Sequence, residues 1–324
     1  MYTLTQYQDL FEDYLNSKAW LRRPENLYDP IQYILTLGGK RMRPMLTLMG
    51  AEIFGASAKD ALPAALAVEM FHNFSLVHDD IMDAAPLRRG QETVHTKWNL
   101  NTAILSGDAM LILAYQYFES YEPIVFRDLA KLFSKTALEV CEGQQMDIDF
   151  EKRADVTEQE YLKMIEYKTA VLVGAAMEMG AIIANANAEQ KKAIYAFGNN
   201  LGIAFQLQDD YLDAFGDPKT FGKQVGGDII ENKKTYLYLK ALEFGNADQQ
   251  KAVQDWFTQM PQDPTSKIEA VKALFVSTGA AEATQNAIKH YTMEAFAVMD
   301  AISLDEDKKA LLRQVGEKLM GRTV

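Results

Sequence analysis

Residues 79–83 read Asp-Asp-Ile-Met-Asp, and residues 209–213 read Asp-Asp-Tyr-Leu-Asp. In an α-helix, side chains four positions apart lie on one face. Each stretch therefore predicts two carboxylates, at its first and last positions, that point the same way. Paired carboxylates repel each other unless a cation lies between them, and Mg²⁺ commonly connects carboxylates to substrate phosphates. These two stretches, the first and second Asp motifs, indicate a site for metal ions and a diphosphate.

A solvated acidic helix end is the alternative for each Asp motif, because runs of charge usually face solvent. The preceding residues argue against it. Phe74, Leu76 and Val77 come before the first motif, and Phe205 and Leu207 come before the second. Such apolar neighbours are typical of a protein core, so the metal site is the favoured interpretation.

The spacing of apolar residues predicts an all-α protein. Glycine and proline are sparse in the 324 residues, at 19 and 9. Long stretches place Leu, Ala and Met three or four positions apart, which is typical of helices, and strand-like alternation is scarce. No Ser- or Gly-rich linker divides the chain, so we predict a single domain over residues 1–324.

Composition limits the classes of function. Hydrophobic residues make up 48% of the chain and charged residues 24%, as in a globular protein. The formal net charge of −12 argues against a nucleic-acid partner, and no apolar run reaches the length of a membrane span. The single cysteine, Cys141, fits a cytoplasmic location and is expected in the core. An anionic substrate would need locally concentrated cations.

Basic residues do concentrate next to the Asp motifs. Residues 38–44 read Gly-Gly-Lys-Arg-Met-Arg-Pro, a loop that meets the start of a helix and could bind a diphosphate. A basic surface loop is the alternative. Arg88 and Arg89 follow the first motif, where a guanidinium can bind phosphate oxygens or pair with the aspartates. A second glycine- and lysine-rich loop, residues 222–235, follows the second motif.

Two further positions could contact a phosphate. His72 lies two helical turns before the first motif and on nearly the same face, so it could donate a hydrogen bond to a phosphate oxygen. A histidine satisfied within the core is the alternative. Lys168 and Thr169 lie within an apolar stretch. A lysine on a buried face needs an anionic partner, which a phosphate would supply.

In chain order, these segments resemble the trans-isoprenyl diphosphate synthases, the polyprenyl synthetase family. The resemblance covers about Gly38 to Thr235 and rests on GGKRMRP, DDIMD, the arginine pair with Gly90, GQQMD, KT, FQLQDDYLD, and the GK and NKKT loops. Each segment alone is a weak signal, but the ordered set is highly specific. The resemblance implies the isoprenoid synthase fold, with roughly a dozen helices around a central cavity. It also implies that the Asp motifs face each other and that the protein is a homodimer.

The resemblance assigns a role to each matching residue. Three Mg²⁺ ions would be bound by Asp79, Asp83 and Asp209. Asp80 and Asp213 would support these ligands. The residues that hold the allylic diphosphate would be Arg88, Lys168, Lys223 and Lys233. The residues that hold isopentenyl diphosphate would be Lys40, Arg43, His72 and Arg89. Thr169 and Gln206 would lie over the reacting carbons.

The implied reaction is the trans condensation of isopentenyl diphosphate with a dimethylallyl, geranyl or farnesyl diphosphate. Metal ions and basic side chains would stabilise the charge that grows on the leaving diphosphate. The catalytic group comprises Asp79, Asp83, Lys168, Thr169, Gln206, Asp209 and Lys223. The double bond of isopentenyl diphosphate would then attack the allylic cation, and a proton would be lost. No side-chain nucleophile is needed, which agrees with the lack of a Ser-His-Asp or Cys-His set.

The residues before the first motif bear on product length. At 1.5 Å per residue, Phe74 lies about 7.5 Å and Phe71 about 12 Å below Asp79, and either ring could close the pocket for the product tail. Ser75 is small and leaves room beside Phe74. The resemblance favours geranylgeranyl diphosphate (C20) as the product, with farnesyl diphosphate (C15) as the alternative. Bulk at Phe71 disfavours very long products.

Three other functions compete with prenyl transfer. A class I terpene cyclase would usually show an Asn/Asp-x-x-Ser-x-x-x-Glu metal motif, whereas the second motif here is Asp-Asp-x-x-Asp. A non-catalytic subunit of a heteromeric synthase tends to lose its Asp motifs, and both are intact. A metal-binding helical scaffold would leave the basic loops unexplained. The prenyl diphosphate synthase is therefore the favoured function.

Overall fold

The structure is a computed structural model that describes residues 1–18, 22–217 and 225–321. Within these residues the chain is almost entirely helical, which confirms the predicted all-α class. The α-helices are α1 (Leu4–Asn16), α2 (Glu25–Thr36), α3 (Met42–Ile53), α4 (Leu62–Met82), α5 (Val94–Lys97), α6 (Leu100–Phe118), α7 (Pro123–Lys152), α8 (Glu158–Ile165), α9 (Val171–Ile183), α10 (Ala188–Phe215), α11 (Gly227–Ile230), α12 (Tyr236–Phe244), α13 (Ala247–Trp256), α14 (Thr265–Ser277), α15 (Ala280–Ala301) and α16 (Glu306–Met320). A 3₁₀ turn spans Ala58–Ala61, and a π-helical segment spans Glu166–Ala170 between α8 and α9.

Local sequence explains where several helices begin. At α1, the Thr3 side chain accepts a hydrogen bond from the Gln6 N–H, and the Gln6 side chain accepts one from the Thr3 N–H. The same reciprocal arrangement recurs at residues 157–160 before α8 and at residues 246–249 before α13. Each pair satisfies backbone donors that a helix start would otherwise leave exposed.

A two-residue hairpin interrupts the helices after the first Asp motif. Strand β1 (Leu87–Arg88) pairs antiparallel with β2 (Gln91–Glu92). The turn between them has positive φ angles at Arg89 (53°) and Gly90 (75°), as the tightest hairpin turns require. The hairpin places Arg88 in β1 and Arg89 in its turn, just after the first Asp motif.

The chain divides into two compact units. Unit 1 comprises Met1–Ala137 and Ala175–Tyr195, and unit 2 comprises Leu138–Gly174 and Ala196–Val324. The first Asp motif belongs to unit 1 and the second to unit 2. None of the borders falls in a linker, because each lies within a helix. The single domain over residues 1–324 stays a prediction.

The core of unit 1 is built around α4. Nearly every residue of its first three turns is buried, as expected of a helix that is apolar on all sides. Helix α6 packs along α4, and the His78 ring of α4 contacts the Ile104 carbonyl of α6 at 3.2 Å. Below the first Asp motif, the rings of Phe71, Phe118 and Phe133 are fully buried. Helix α4 thus holds the first motif on a rigid support.

In the described residues of unit 2, two hydrophobic clusters share α10. Leu207 belongs to a cluster with Tyr161 and Tyr236, whereas Tyr211 belongs to another with Phe275. The second Asp motif, residues 209–213 of α10, begins just after Leu207 and contains Tyr211. Packing therefore anchors the motif both before its first aspartate and within it.

Cys141 is exposed on α7, so the expectation of a core cysteine was wrong. The residue falls on the outer side of a long amphipathic helix, which the sequence around it does not reveal. No helix in the described residues is long and apolar enough to cross a membrane.

Candidate active site

The end of α4 places the first Asp motif. The Asp83 N–H donates to the Asp79 carbonyl at 2.9 Å, so the helical spacing persists through the motif and both side chains share a face. Asp79 is partly exposed and Asp83 is exposed. Asp80 lies on another face and is only 1% exposed. The predicted pair of outward carboxylates, Asp79 and Asp83, is therefore present.

Arg88 binds the buried carboxylate of Asp80. Its Nε lies 2.9 Å from both oxygens of Asp80, and a terminal nitrogen lies 2.7 Å from Oδ1. This is the ion pair that the sequence offered as the alternative to phosphate binding. Because Asp80 is committed to Arg88, it supports the site by holding this guanidinium beside the outward carboxylates.

Four arginines lie near His72 on α4, and one of them contacts it. Its Nε2 lies 3.3 Å from a terminal nitrogen of Arg43. Burial lowers the pKa of His72 well below 6.5, and the positive charges of Arg43, Arg89, Arg88 and Arg41 lower it further. His72 is therefore neutral at pH 7. The structure thus brings together three residues predicted to bind isopentenyl diphosphate, namely Arg43, His72 and Arg89.

The charges in this arginine cluster are only partly balanced. Arg41 turns into the core, where it pairs with buried Glu69 and donates to the Leu35 carbonyl. Arg43 forms no salt bridge in the described residues, and its Nε is buried without a hydrogen-bond partner.

Arg89 in turn donates to the Gly38 carbonyl rather than to a carboxylate. Burial and the charge of Arg41 lower its pKa. Lys40 is exposed at the edge of the same loop. Unpaired, partly desolvated guanidinium groups favour an anionic ligand.

In unit 2, the π-helical segment carries Lys168 and Thr169. Gly143 of α7 and Gly202 of α10 lie against its backbone so closely that a Cβ on either glycine would collide with residues 167–170. Insertions of this kind widen one helical turn and are frequent at functional sites. The glycine in GQQMD is therefore what allows the KT segment to reach its place.

Lys168 has an anionic partner within the protein. Its Nζ donates to the carboxylate of Asp147, the last residue of GQQMD. The anionic partner expected for Lys168 is therefore present within the protein, and phosphate binding by Lys168 stays a prediction. Asp147 holds the ammonium group at the surface of the segment, where Lys168 stays partly exposed.

Thr169 and Gln206, which are predicted to share a role, are in direct contact. The Thr169 hydroxyl donates to Gln206 Oε1 at 2.9 Å, and Gln206 Nε2 donates to Asp210 Oδ1 at 2.9 Å. Tyr161 donates to the other oxygen of Asp210. Burial raises the pKa of Asp210, against the hydrogen bonds from Tyr161 and Gln206.

Around Asp213, the second motif is joined to the loop that follows it. The Asp228 N–H donates to Asp213 Oδ1 at 3.0 Å, and Lys233 lies 3.9 Å from Asp228 and 3.0 Å from Glu231. Burial raises the pKa of Asp228, and the nearby carboxylates raise it further. Lys223 lies outside the described residues.

The aspartates suit a divalent metal with oxygen ligands. In the described residues, no three acidic, histidine or cysteine side chains come close enough to form a complete protein site. Mg²⁺ commonly keeps several waters and binds one or two carboxylates together with phosphate oxygens. Outward pairs such as Asp79 and Asp83 fit that partial ligand set, so the donor chemistry agrees with magnesium.

The residues proposed to limit product length lie one below another on α4. Phe74 is partly buried and contacts the ring of Phe71 at 5.5 Å between centroids. Phe71 contacts Phe133 at 5.2 Å. The Ser75 hydroxyl donates to the His72 carbonyl at 2.8 Å and adds no bulk. Phe74 thus forms an upper layer, and Phe71 with Phe133 forms a lower one.

Sequence reasoning missed several residues that hold the site together. Asp147 and Asp210 lie inside recognised segments, so their position in those segments was a usable signal. Glu69 and Tyr161 lie in ordinary helical stretches, where nothing in the local sequence marks a buried hydrogen-bond partner.

Comparison with known proteins agrees with this geometry. A family model described as polyprenyl synthetase matches residues 24–274. The chain belongs to the polyprenyl synthetase family. This membership confirms the resemblance that the ordered segments indicated.

Individual members of the polyprenyl synthetase family are similar over nearly the whole chain. A geranylgeranyl diphosphate synthase of Methanosarcina mazei is 37% identical over 302 residues, covering 93% of this chain and 91% of that protein. A crystal structure of a geranylgeranyl pyrophosphate synthase is 55% identical, covers 100% of both chains and has a TM-score of 0.97. The geranylgeranyl pyrophosphate synthase of Corynebacterium glutamicum, solved with isoprenyl diphosphate and magnesium, is 26% identical, covers 99% of this chain and 96% of that chain, and has a TM-score of 0.84.

Proposed function

We propose that this chain condenses isopentenyl diphosphate with allylic diphosphates in trans and releases geranylgeranyl diphosphate. The observation that carries the proposal is the arginine cluster around neutral His72, on the helix that ends in the first Asp motif. Within this cluster, the buried Nε of Arg43 has no hydrogen-bond partner. The relatives named as geranylgeranyl synthases support the C20 product over the C15 alternative.

In the proposed complex, the arginine cluster binds isopentenyl diphosphate. Arg43 and Arg89 supply charged donors, and Lys40 stands at the rim. Neutral His72 retains one N–H, so it can donate to a phosphate oxygen without adding charge. The buried Nε of Arg43 gains the hydrogen bond that it lacks.

The allylic diphosphate is proposed to bind where the carboxylates point outward. Asp79, Asp83 and Asp209 would hold magnesium, and Mg²⁺ would neutralise charge that develops on the leaving diphosphate. Asp213 supports this arrangement through its contact with the loop after the second motif. Arg88, already aimed by Asp80, would donate to the same diphosphate. Magnesium in the Corynebacterium glutamicum complex supports the metal, and the number of three ions stays a prediction.

Lysine residues of unit 2 would complete the binding of the allylic substrate. Lys168 is steered by Asp147, and Lys233 by Asp228 and Glu231. Lys223 is proposed to join them on the basis of the sequence alone. Such held ammonium groups stabilise charge on a departing diphosphate at little reorganisation cost. Thr169 and Gln206 present oxygen atoms rather than charged donors, which suits a neighbouring carbon that becomes positive.

Product length is proposed to be limited by the aromatic layers below the first motif. Phe74 would contact the end of the C20 chain, with Ser75 leaving space beside it. Phe71 and Phe133 are fully buried and would stop further growth. This order explains why a C20 product is favoured over longer ones.

We further propose a homodimer. Helix α6 exposes Leu100, Leu105 and Ile112, at 50%, 59% and 60%, and α7 exposes Ile124 at 67%. Leu105 and Ile112 are seven positions apart and therefore share a face of α6. Exposed apolar surface can mark an interaction site, and most soluble oligomers are homo-oligomers. Light scattering should give twice the monomer mass, and Ile112→Glu should reduce it to the monomer. The cytoplasmic location stays a prediction.

Product analysis tests the proposed activity. The purified protein is incubated with Mg²⁺, labelled isopentenyl diphosphate and each of the C5, C10 and C15 allylic diphosphates, and the dephosphorylated alcohols are sized by chromatography. A C20 alcohol is expected from every primer. A stop at C15 would keep the chemistry and correct the length, and no elongation from any primer would overturn the proposal.

A further inference from the structure

A chain of hydrogen bonds links three helical segments of unit 2. The Thr169 hydroxyl donates to Gln206 Oε1, Gln206 Nε2 donates to Asp210 Oδ1, and the Tyr161 hydroxyl donates to Asp210 Oδ2. Tyr161, Thr169 and Asp210 are buried, at 1%, 8% and 7% exposure. Buried polar groups that satisfy one another in this way restrict each other to one arrangement.

The two pairs of residues that form this chain come from two continuous helical stretches. Gln206 and Asp210 are four positions apart on α10 and therefore share a face. Tyr161 lies on α8, and Thr169 lies in the π-helical segment that continues it. The hydrogen bonds thus connect the two helical stretches at two points, Thr169 to Gln206 and Tyr161 to Asp210. Neither Tyr161 nor Asp210 belongs to the groups assigned to the metal or the substrates.

Asp210 fixes which end of the Gln206 amide faces Thr169. With Tyr161 on Oδ2, the Oδ1 atom is an acceptor, so Gln206 must present its NH₂ group to Asp210. Its carbonyl oxygen then faces Thr169, whose hydroxyl must donate its only proton to it. The lone pairs of the Thr169 oxygen are left to point away from Gln206. Without Asp210, the amide could turn over and the hydroxyl dipole could reverse.

We infer that Tyr161 and Asp210 are positioning residues of prenyl transfer. They act through Gln206 to aim the lone pairs of the Thr169 hydroxyl at the allylic carbon as it becomes positive. This inference rests on the proposed function, in which Thr169 and Gln206 lie over the reacting carbons. A dipole held in advance stabilises developing charge better than one that must turn during the reaction.

A double-mutant cycle tests this inference. Tyr161→Phe removes the hydroxyl that anchors Asp210, and we expect kcat to fall about 10-fold, as for one oriented hydrogen bond lost from the transition state. The KM values for both diphosphates and the half-saturating Mg²⁺ concentration should stay within about twofold, because an interaction made only in the transition state changes kcat alone. Thr169→Val should lower kcat more. Adding Tyr161→Phe to it should then cost less than about twofold, since coupled residues are not additive.

Tyr236→Phe is the matched control. The Tyr236 hydroxyl also donates to a carboxylate, Glu158 at 2.8 Å, and its ring lies 6.0 Å from that of Tyr161. It has no link to Gln206. The variant should keep the wild-type kcat, although it loses a partly buried tyrosine–carboxylate hydrogen bond.

The outcomes separate this inference from the proposed function. A wild-type protein without activity would overturn the proposed function itself. An active wild type with an unchanged kcat in Tyr161→Phe, fully additive effects in the cycle, or a change confined to KM would overturn the positioning role alone. Should Tyr161→Phe fail to fold, Asp210→Leu takes its place in the same cycle, because leucine has a similar shape and accepts no hydrogen bond.

Discussion

The two Asp motifs have nearly the same sequence, yet their second aspartates are stabilised in different ways. Asp80 is bound by the charged guanidinium of Arg88 through two nitrogens. Asp210 accepts hydrogen bonds from two neutral groups, the hydroxyl of Tyr161 and the amide of Gln206. One sequence pattern therefore has two electrostatic solutions. The pattern predicts the outward carboxylates and not the partners of the inward one.

The charges around the two motifs also differ. The arginines near the first motif lower the pKa of His72, whose burial already lowers it. Carboxylates near the second motif raise the pKa values of Asp210 and Asp228, which burial already raises. Under the proposed function, the first region would bind an anion and the second would bind cations. A magnesium diphosphate carries both kinds of charge.

The largest expected effect is a loss of turnover when the first aspartate, which both motifs share, is removed. Asp79→Ala and Asp209→Ala each remove the first carboxylate of a motif, and turnover should fall at least about 10²-fold, the scale for loss of one group that stabilises transition-state charge. Product formation from labelled isopentenyl diphosphate at saturating Mg²⁺ measures the loss. Asp9→Ala, which removes an exposed aspartate of α1, is the control and should be fully active. If either motif variant kept most of its turnover, the metal assignment would be wrong.

The next effect is a change in the free energy of unfolding when the second aspartate, whose partners differ between the motifs, is replaced. Asp80→Asn leaves Arg88 without its charged partner, so the free energy of unfolding should fall by about 2–3 kcal/mol, typical for hydrogen bonds to charged groups. Asp210→Asn should change it by less than about 1 kcal/mol, because an amide can accept from Gln206 and donate to Tyr161, and no charge is buried. Urea unfolding of both variants measures the contrast. Equal losses in both would remove the distinction between the two motifs.

A third test uses the residues before each motif. An aromatic ring stands five positions before Asp79, at Phe74, but four positions before Asp209, at Phe205. One position turns a helical side chain by about 100°, so only Phe74 is proposed to face the product tail. Phe74→Ala should therefore lengthen the product by one five-carbon unit, measured by chromatography of the alcohols.

The control for the product-length test is Phe244→Ala, which removes an exposed ring in unit 2 and should leave the product at C20. An unchanged product in Phe74→Ala would move the floor of the pocket to Phe71. That result would leave the Asp motifs as they are and change only the depth assigned to the pocket.

Much of this site was predictable because its chemistry is carried by local patterns. Carboxylates four apart, arginines after a helix break and a lysine in an apolar stretch are all visible in the sequence. The helices were predictable because apolar residues repeat at helical spacing. These signals need no knowledge of what lies across the core.

The rest depends on contacts between distant segments. Arg41 is buried because it pairs with Glu69, 28 positions later. Nothing in the sequence near Arg41 indicates this burial. The π-helical segment depends on Gly143 and Gly202, which come from two other helices. The hairpin at residues 87–92 is too short to produce the alternation expected of strands. In each case the deciding partner is far away in sequence.

The smallest expected effect is a pH dependence at the first motif. The pKa of His72 lies well below 6.5 in the folded chain, so below pH 6.5 the unfolded chain binds more protons. The free energy of unfolding should therefore fall as pH falls below 6.5, by at most about 1.4 kcal/mol per pH unit for one group. Urea unfolding at pH 7.5, 6.5 and 5.5 should show a smaller slope in His72→Asn. The exposed His290→Asn should keep the wild-type slope.

Inorganic diphosphate sharpens this last comparison. An anion bound by Arg43 and Arg89 would offset the positive field that helps to lower the pKa of His72. The slope of the wild-type protein below pH 6.5 should then shrink on adding diphosphate, whereas that of His72→Asn should not change. A slope that diphosphate leaves unaltered in both proteins would mean that burial alone sets the pKa of His72. The arginine cluster would then not be the anion site. The two Asp motifs would still have different hydrogen-bond partners, but the first would not have an anion-binding site beside it.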